Sequence, residues 1–303
     1  LITQLYAANI NATNNNFQKK SNFQFTSKEN YDHFVNNKQK LAFTGLINAS
    51  DNIMYTCYKF TMLNLGKRVG KITKYDTPEI IAARIKLLES NTKIPKTTSI
   101  KLSERIAIRS NIENSIYGIG AEKKEKKAFI TIGLPGCGKS SVIDNKFNKE
   151  HGALTIEKDL IRNKLPEYKN GNGLFEVQEE VMQIWNNLLK RAISNGDNIS
   201  ISTHGASYPY LFKLCNKFKK ADYEIQLVLV DIPTEKAAKQ AIKRFQETGK
   251  FIDPMYHVML GNFPKNTFKL ITTVNKNLFT RHAIYSNNVP KGTPPVLIKN
   301  FQK

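Results

Sequence analysis

The chain has 303 residues, 40% hydrophobic and 10% aromatic, with a formal charge of +21. That length can bury a full core in one large domain or two ordinary ones, and no stretch approaches the ~18–20 apolar residues that span a bilayer. The charge is spread, +11 over residues 1–127 and +10 over 128–303, so it favours anionic ligands in general and leaves nucleic acid a permitted but less favoured partner.

Cys57, Cys137 and Cys215 are far apart and odd in number, which suits a reducing compartment without a disulfide framework. The opening Leu1-Ile2-Thr3-Gln4-Leu5 has no basic stretch ahead of a long apolar core and reads as a poor secretory signal. The expected location is cytoplasmic, with no membrane partner.

In chain order, residues 1–50 are rich in Asn, Lys, Gln and Phe without a sustained period and read as a weakly ordered arm. Residues 51–122 read as a helical region. Thr77-Pro78-Glu79 is a helix start, with Ile81, Ile85 and Leu88 expected on one face. A second helix over 100–117 carries Ile108, Ile112 and Ile116 at steps of four and ends at Gly118. Both stripes are expected to lie against the following domain, and the charged run 122–127 is the expected junction.

From residue 123 onward strands and helices alternate, which predicts an α/β domain with a parallel sheet flanked by helices. Strands are expected at 128–132, 153–156, 198–203, 224–230 and 283–286. Helices are expected at 174–194, 210–219, from Thr234 to about 249, from Asp253-Pro254, and at 268–278. The helix over 174–194 has Val177, Val181, Ile184, Leu188 and Ala192 on one side. Ligands in such sheets sit beyond the carboxyl ends of the strands.

The run Gly133-Leu134-Pro135-Gly136-Cys137-Gly138-Lys139-Ser140 reads G-x-x-x-x-G-K-S, between a short apolar strand and a segment able to open a helix. This is the Walker A pattern. Its glycines let successive N–H groups curl around one anion at a helix N-terminus. Lys139 can reach the outer phosphates and the Ser140 hydroxyl can ligate Mg²⁺. The sequence therefore predicts an ATP site on Gly133, Pro135, Gly136, Cys137, Gly138, Lys139, Ser140 and Ser141, with Cys137 a small filler.

After the second strand comes Glu157-Lys158-Asp159-Leu160-Ile161-Arg162, then Leu165-Pro166-Glu167-Tyr168. A carboxylate there points toward the γ-phosphate and can take a proton from a substrate hydroxyl, for which Asp159 is the candidate. Arg162 lies on the same helical face and suits an acidic substrate group. The competing reading makes Asp159 an N-cap with a solvated Arg162. Asp231, at the end of the 224–230 strand, also reads either as a Walker B aspartate or as part of a plain turn.

Together the phosphate loop, E-K-D-x-x-R, L-P-E-Y, Ala241-Ile242-Lys243-Arg244-Phe245, Thr248-Gly249-Lys250, Asp253-Pro254 and Ala283-Ile284-Tyr285-Ser286-Asn287 resemble the zeta-toxin family of P-loop kinases over roughly residues 125–290. The resemblance implies ATP-dependent phosphorylation of a small-molecule hydroxyl, with UDP-N-acetylamino sugars attacked at the sugar 3′-hydroxyl as the best-known acceptors. It also implies Lys139 and Ser140 as the phosphate and Mg²⁺ residues, Asp159 as catalytic base, Arg244 as a charge-stabilising arginine, and an inhibitory antitoxin as a partner. Glu157, Arg162 and Thr203 would hold the acceptor.

Two departures stand out. Lys250 occupies the place of the family's frequent second arginine, keeping charge without the planar fork. The 198–203 strand ends Ser202-Thr203-His204 where sugar-kinase members commonly carry glutamate, leaving Thr203 or Ser202 to hydrogen-bond a ligand. Two rivals remain open: a polynucleotide 5′-kinase or RNA-repair enzyme, and an ATP-binding effector module without turnover.

Overall fold

The computed structural model describes residues 75–90, 102–290 and 293–302. The arm over 1–50 and the reading of 51–74 lie outside the described residues.

Helix α1 (Pro78–Glu89) begins as expected, with Thr77 accepting a hydrogen bond from the Ile80 amide and proline in the first turn. Its buried face differs from the expected one. Ile80, Ala83, Arg84, Leu87 and Leu88 are buried, whereas Ile85 is 50% exposed. Helix α2 (Leu102–Tyr117) buries Ile112 and Ile116 as its four-residue spacing predicts.

The core is a six-stranded sheet in the order β2-β3-β1-β4-β5-β6. Its strands are β1 (Lys127–Ile132), β2 (Leu154–Thr155), β3 (Ile199–Thr203), β4 (Glu224–Asp231), β5 (Arg281–Ser286) and β6 (Val296–Gln302). The first five run parallel, and β6 pairs antiparallel to β5 as an edge the sequence reading missed. Central β1 buries both faces, as crossover helices on both sides of a parallel sheet require.

Helices cover both faces. The phosphate-loop helix is split into α3 (Lys139–Val142), a π-helical stretch (Ile143–Asn148) and α4 (Lys149–His151). There follow α5 (Lys158–Arg162), a 3-10 turn (Pro166–Gly171), α6 (Leu174–Asn195), α7 (Tyr208–Lys219), α8 (Thr234–Thr248), α9 (Pro254–Leu260) and α10 (Phe263–Val274). All five apolar residues expected along α6 are buried. Helix α10 starts five residues earlier than expected, with Pro264 in its first turn.

Alternation along β1 divides the core. Phe129 faces a cluster that includes Ile80, Ala83 and Leu87 of α1 together with Val228, Phe251 and Met255. Ala128, Ile130 and Ile132 face another that includes Ile112 and Ile116 of α2 and the stripe of α6. The two N-terminal helices thus lie in opposite layers of one sheet. The 122–127 run is also tied in, the Glu122 amide donating to Gly152 O at 3.0 Å and the Lys126 amide to Gly196 O at 3.2 Å.

Candidate active site

The chain leaves β1 for β2 but places β3 between them, so a crevice opens at the carboxyl ends of β1 and β3. A cleft of about 470 Å³ lies there. The phosphate loop supplies Pro135, Gly136, Gly138, Lys139 and Ser140, and the start of α5, just after β2, supplies Glu157 and Asp159. Arg162, Thr203 and Arg244 line the same space. Gly133 and Cys137 are buried beneath the loop, and Ser141 is half-buried beside it.

Backbone constraints explain the glycines at two of these positions. At Gly133 (φ +152°) a Cβ would meet Val230 O at 2.5 Å and Cys137 Sγ at 2.7 Å. At Gly138 the backbone is left-handed (φ 91°, ψ 21°), and a Cβ would meet the Asn287 amide nitrogen at 2.5 Å. That close approach has a purpose, since Asn287 Nδ2 donates to Cys137 O at 2.9 Å. On the other side, His257 Nε2 lies 3.0 Å from Pro135 O. Burial pulls the His257 pKa down against its contacts to the Pro135 and Asp253 carbonyls. Lys139 Nζ donates to Gly133 O at 3.0 Å and Leu134 O at 2.8 Å.

Cys137 is the expected filler: it is fully buried, and burial raises its pKa against the opposing charge of Lys139. Cys137 and Cys215 are both free thiols.

Glu157, not Asp159, occupies the N-cap position of α5, and it makes no side-chain cap bond. Asp159 instead receives Arg162 Nη1 at 2.7 Å and Lys250 Nζ at 3.2 Å, so the solvated-arginine reading is set aside. Arg162 is buried and also donates to Gln178 Oε1 at 2.9 Å. Burial alone would raise the Asp159 pKa; the charges and hydrogen bonds of Arg162 and Lys250 outweigh it and hold the carboxyl well below the usual range. The side chain nonetheless keeps 44% of its surface open to the cleft.

The sign of this shift has a consequence for stability. The contribution of Asp159 is fully present above its unfolded pKa, about 3.9, and is lost only as pH falls through the lower folded value. With ¹³C-labelled aspartate, the Asp159 carboxyl is expected to show no titration between pH 7 and pH 4. A midpoint at the ordinary value would mean that the two cations do not hold it.

Arg244 is exposed on α8 at the cleft and has no ion pair among the described residues. Lys250 is 9% exposed and sits 5.9 Å from the centroid of Tyr168. Asp231 pairs with Lys265 at 2.9 Å and does not line the cleft, which disfavours its Walker B reading. His204 Nδ1 is 3.1 Å from the Tyr256 hydroxyl.

Several further residues line the cleft or flank it without having been assigned a role from the sequence. Gln240 lies one turn before Arg244, and its Oε1 is buried without a hydrogen-bond partner. Tyr168, Phe251 and Tyr256 supply aromatic walls. Lys158 is held by Tyr210, its Nζ 3.2 Å from the hydroxyl. Gln240 had one usable cue, its four-residue spacing from Arg244 on the predicted helix.

A glycine loop between a central parallel strand and a helix, faced by an acid from the next strand, defines a P-loop protein with a kinase-like fold. The chain belongs to the zeta toxin family, whose model matches residues 115–288. Among solved structures, it is similar to one from the PezAT chromosomal toxin–antitoxin system of Streptococcus pneumoniae. The identity is 19%, over 67% of this chain and 82% of that one, with a TM-score of 0.54. It is also similar to a chain of the AvrRxo1-ORF1:AvrRxo1-ORF2 structure with sulphate ions, at 12% identity over 70% and 77% of the two chains and a TM-score of 0.51. At these identities the likeness concerns the fold. No curated protein matches the chain, and among the described residues no helix is long and apolar enough to cross a membrane.

Proposed function

We propose that the protein transfers the γ-phosphate of ATP to a hydroxyl of a small molecule, and that the acceptor is a UDP-N-acetylamino sugar. The reading is carried by one observation: the phosphate loop, Asp159, Arg244 and Arg162 all face a single cleft. Gly136, Gly138 and Lys139 bind the phosphates, over the buried Gly133 and Cys137 and with Pro135 and Ser141 flanking. Asp159 orients the acceptor hydroxyl and takes its proton as the oxygen bonds to the γ-phosphorus and the bond to the β-phosphate oxygen breaks. Arg244, Lys139 and Lys250 offset the charge that spreads over the transferring group. Glu157, Arg162 and Thr203 hold the acceptor, Arg162 toward its anionic part.

Among the described residues there is no cluster of three acidic, His or Cys groups that could hold a metal. That suits Mg²⁺, which is commonly held by few protein groups together with phosphates and water. Ser140, exposed at the cleft, would be its protein ligand. Mg²⁺ held there would supply positive charge against the phosphates. An antitoxin-like protein covering the cleft mouth is the partner this reading favours.

Purified protein given γ-labelled ATP and Mg²⁺ is expected to label a UDP-sugar in preference to nucleosides or oligonucleotides. Lys139→Ala should lower that transfer by about a thousandfold while keeping the fold. Label at an oligonucleotide 5′ end would replace this reading with polynucleotide kinase activity. ATP binding without any labelled product would replace it with the non-catalytic effector module.

A further inference from the structure

Arg84 lies outside the family-matched residues 115–288, yet it holds a residue of the cleft. Its side chain is 5% exposed. Nη2 donates to Asp76 Oδ1 at 2.7 Å and to Asp253 Oδ1 at 2.9 Å, and Nε donates to Asp253 Oδ2 at 2.5 Å. Asp253 lines the same cleft as Gly136 and Lys139. It also caps α9, accepting from the Met255 amide at 2.9 Å. One turn on, His257 of α9 touches the phosphate loop at Pro135. Leu87, one turn beyond Arg84, lines the cleft itself.

A carboxylate beside a phosphate site works against anion binding, and in a partly buried site such repulsion is weakly screened. We propose that Arg84 is a positioning residue for nucleotide binding: shared between Asp253 and Asp76, it offsets the Asp253 charge and so lets an acidic cap that braces the phosphate loop stand beside a triphosphate. The inference rests on the kinase reading. His257 spans from the cap to the loop, its Nδ1 3.4 Å from Asp253 O and its Nε2 3.0 Å from Pro135 O. Burial opposes the charge on Arg84, but its hydrogen bonds to Asp253 and Asp76 outweigh that and raise its pKa. The cation is therefore permanent. On this view α1 belongs to the binding unit.

The test uses the full chain and a fluorescent non-hydrolysable ATP analogue with Mg²⁺, alongside thermal unfolding of each variant. Arg84→Gln is expected to weaken analogue binding at least tenfold. Adding Asp253→Asn, which keeps a capping oxygen, removes the charge on the cleft side, leaving only Asp76, which does not line the cleft, and is expected to return the affinity to within threefold of wild type. Thermal stability should remain lowered in the double variant, since the ion pair is still absent. Arg84→Lys keeps the charge without the fork and should bind within threefold of wild type even if it unfolds earlier, so the inference stays testable should Arg84→Gln fail to fold. Equal affinity of folded Arg84→Gln and wild type overturns the proposal. So does loss of binding in Arg84→Lys, or a double variant as weak as Arg84→Gln. Wild type that does not hold the analogue overturns the kinase reading and this inference with it.

Discussion

Asparagine in place of Asp159 is expected to lower kcat by about a thousandfold, roughly 4 kcal/mol of transition-state stabilisation, while ATP affinity stays the same or improves. The two halves of this result have one cause. Asp159 is the carboxylate that Arg162 and Lys250 share, so an amide there removes the proton acceptor and also frees positive charge in a phosphate-binding cleft. Loss of the base lowers turnover; gain of net positive charge favours the triphosphate. Single-turnover transfer and analogue binding, measured on the same preparation, separate the two. Arg162 retains Gln178, so the variant should stay folded by thermal unfolding. A folded Asp159→Asn protein within threefold of wild-type kcat removes the base assignment.

The parts of this site legible in the sequence were those that local chemistry dictates. The phosphate loop could be read because Gly133 and Gly138 hold positions where no side chain fits. The spacing of Asp159 and Arg162 placed them one turn apart on a helix, and they pair there. The α6 stripe could be read because every third or fourth residue is apolar and buried.

What escaped depended on distant partners. The buried face of α1 was misjudged because Arg84, a charged residue, occupies a core position. Its burial makes sense only with Asp253, 169 residues away in sequence. Strand β6 escaped because Val296, Leu297, Ile298 and Phe301 are all exposed to a substantial degree, so no clean alternation marks it. Gln240 and Tyr256 reach the cleft only through helix packing, and no short motif announces them.

Arg105→Met is expected to destabilise the protein by about 3–5 kcal/mol, because it strands two buried carboxylates rather than removing a contact. Arg105 is 5% exposed. Its Nη1 donates to Glu167 Oε1 at 2.7 Å and its Nε to Glu180 Oε1 at 2.8 Å. Glu180 is fully buried and would keep only Arg109, whose Nε lies 2.6 Å away with its side chain 21% exposed. At roughly 2–4 °C per kcal/mol for a domain of comparable size, the melting temperature should fall by about 10 °C at pH 7. Burial alone would raise the Glu167 pKa, but the Arg105 hydrogen bonds bring it below the ordinary value. The stabilisation is therefore present above about pH 4.3 and lost as pH falls through the folded value, so the gap between variant and wild type should narrow toward acid. The triple variant Arg105→Met, Glu167→Gln, Glu180→Gln should recover part of the loss, since no buried carboxylate is left behind and only the partly exposed Arg109 loses its partner. Glu167 precedes Tyr168, whose ring faces Lys250, so the single variant should also lower turnover. A shift under about 3 °C, equal at pH 7 and pH 3, would mean that the Arg105 clamp contributes nothing to holding α2 in place.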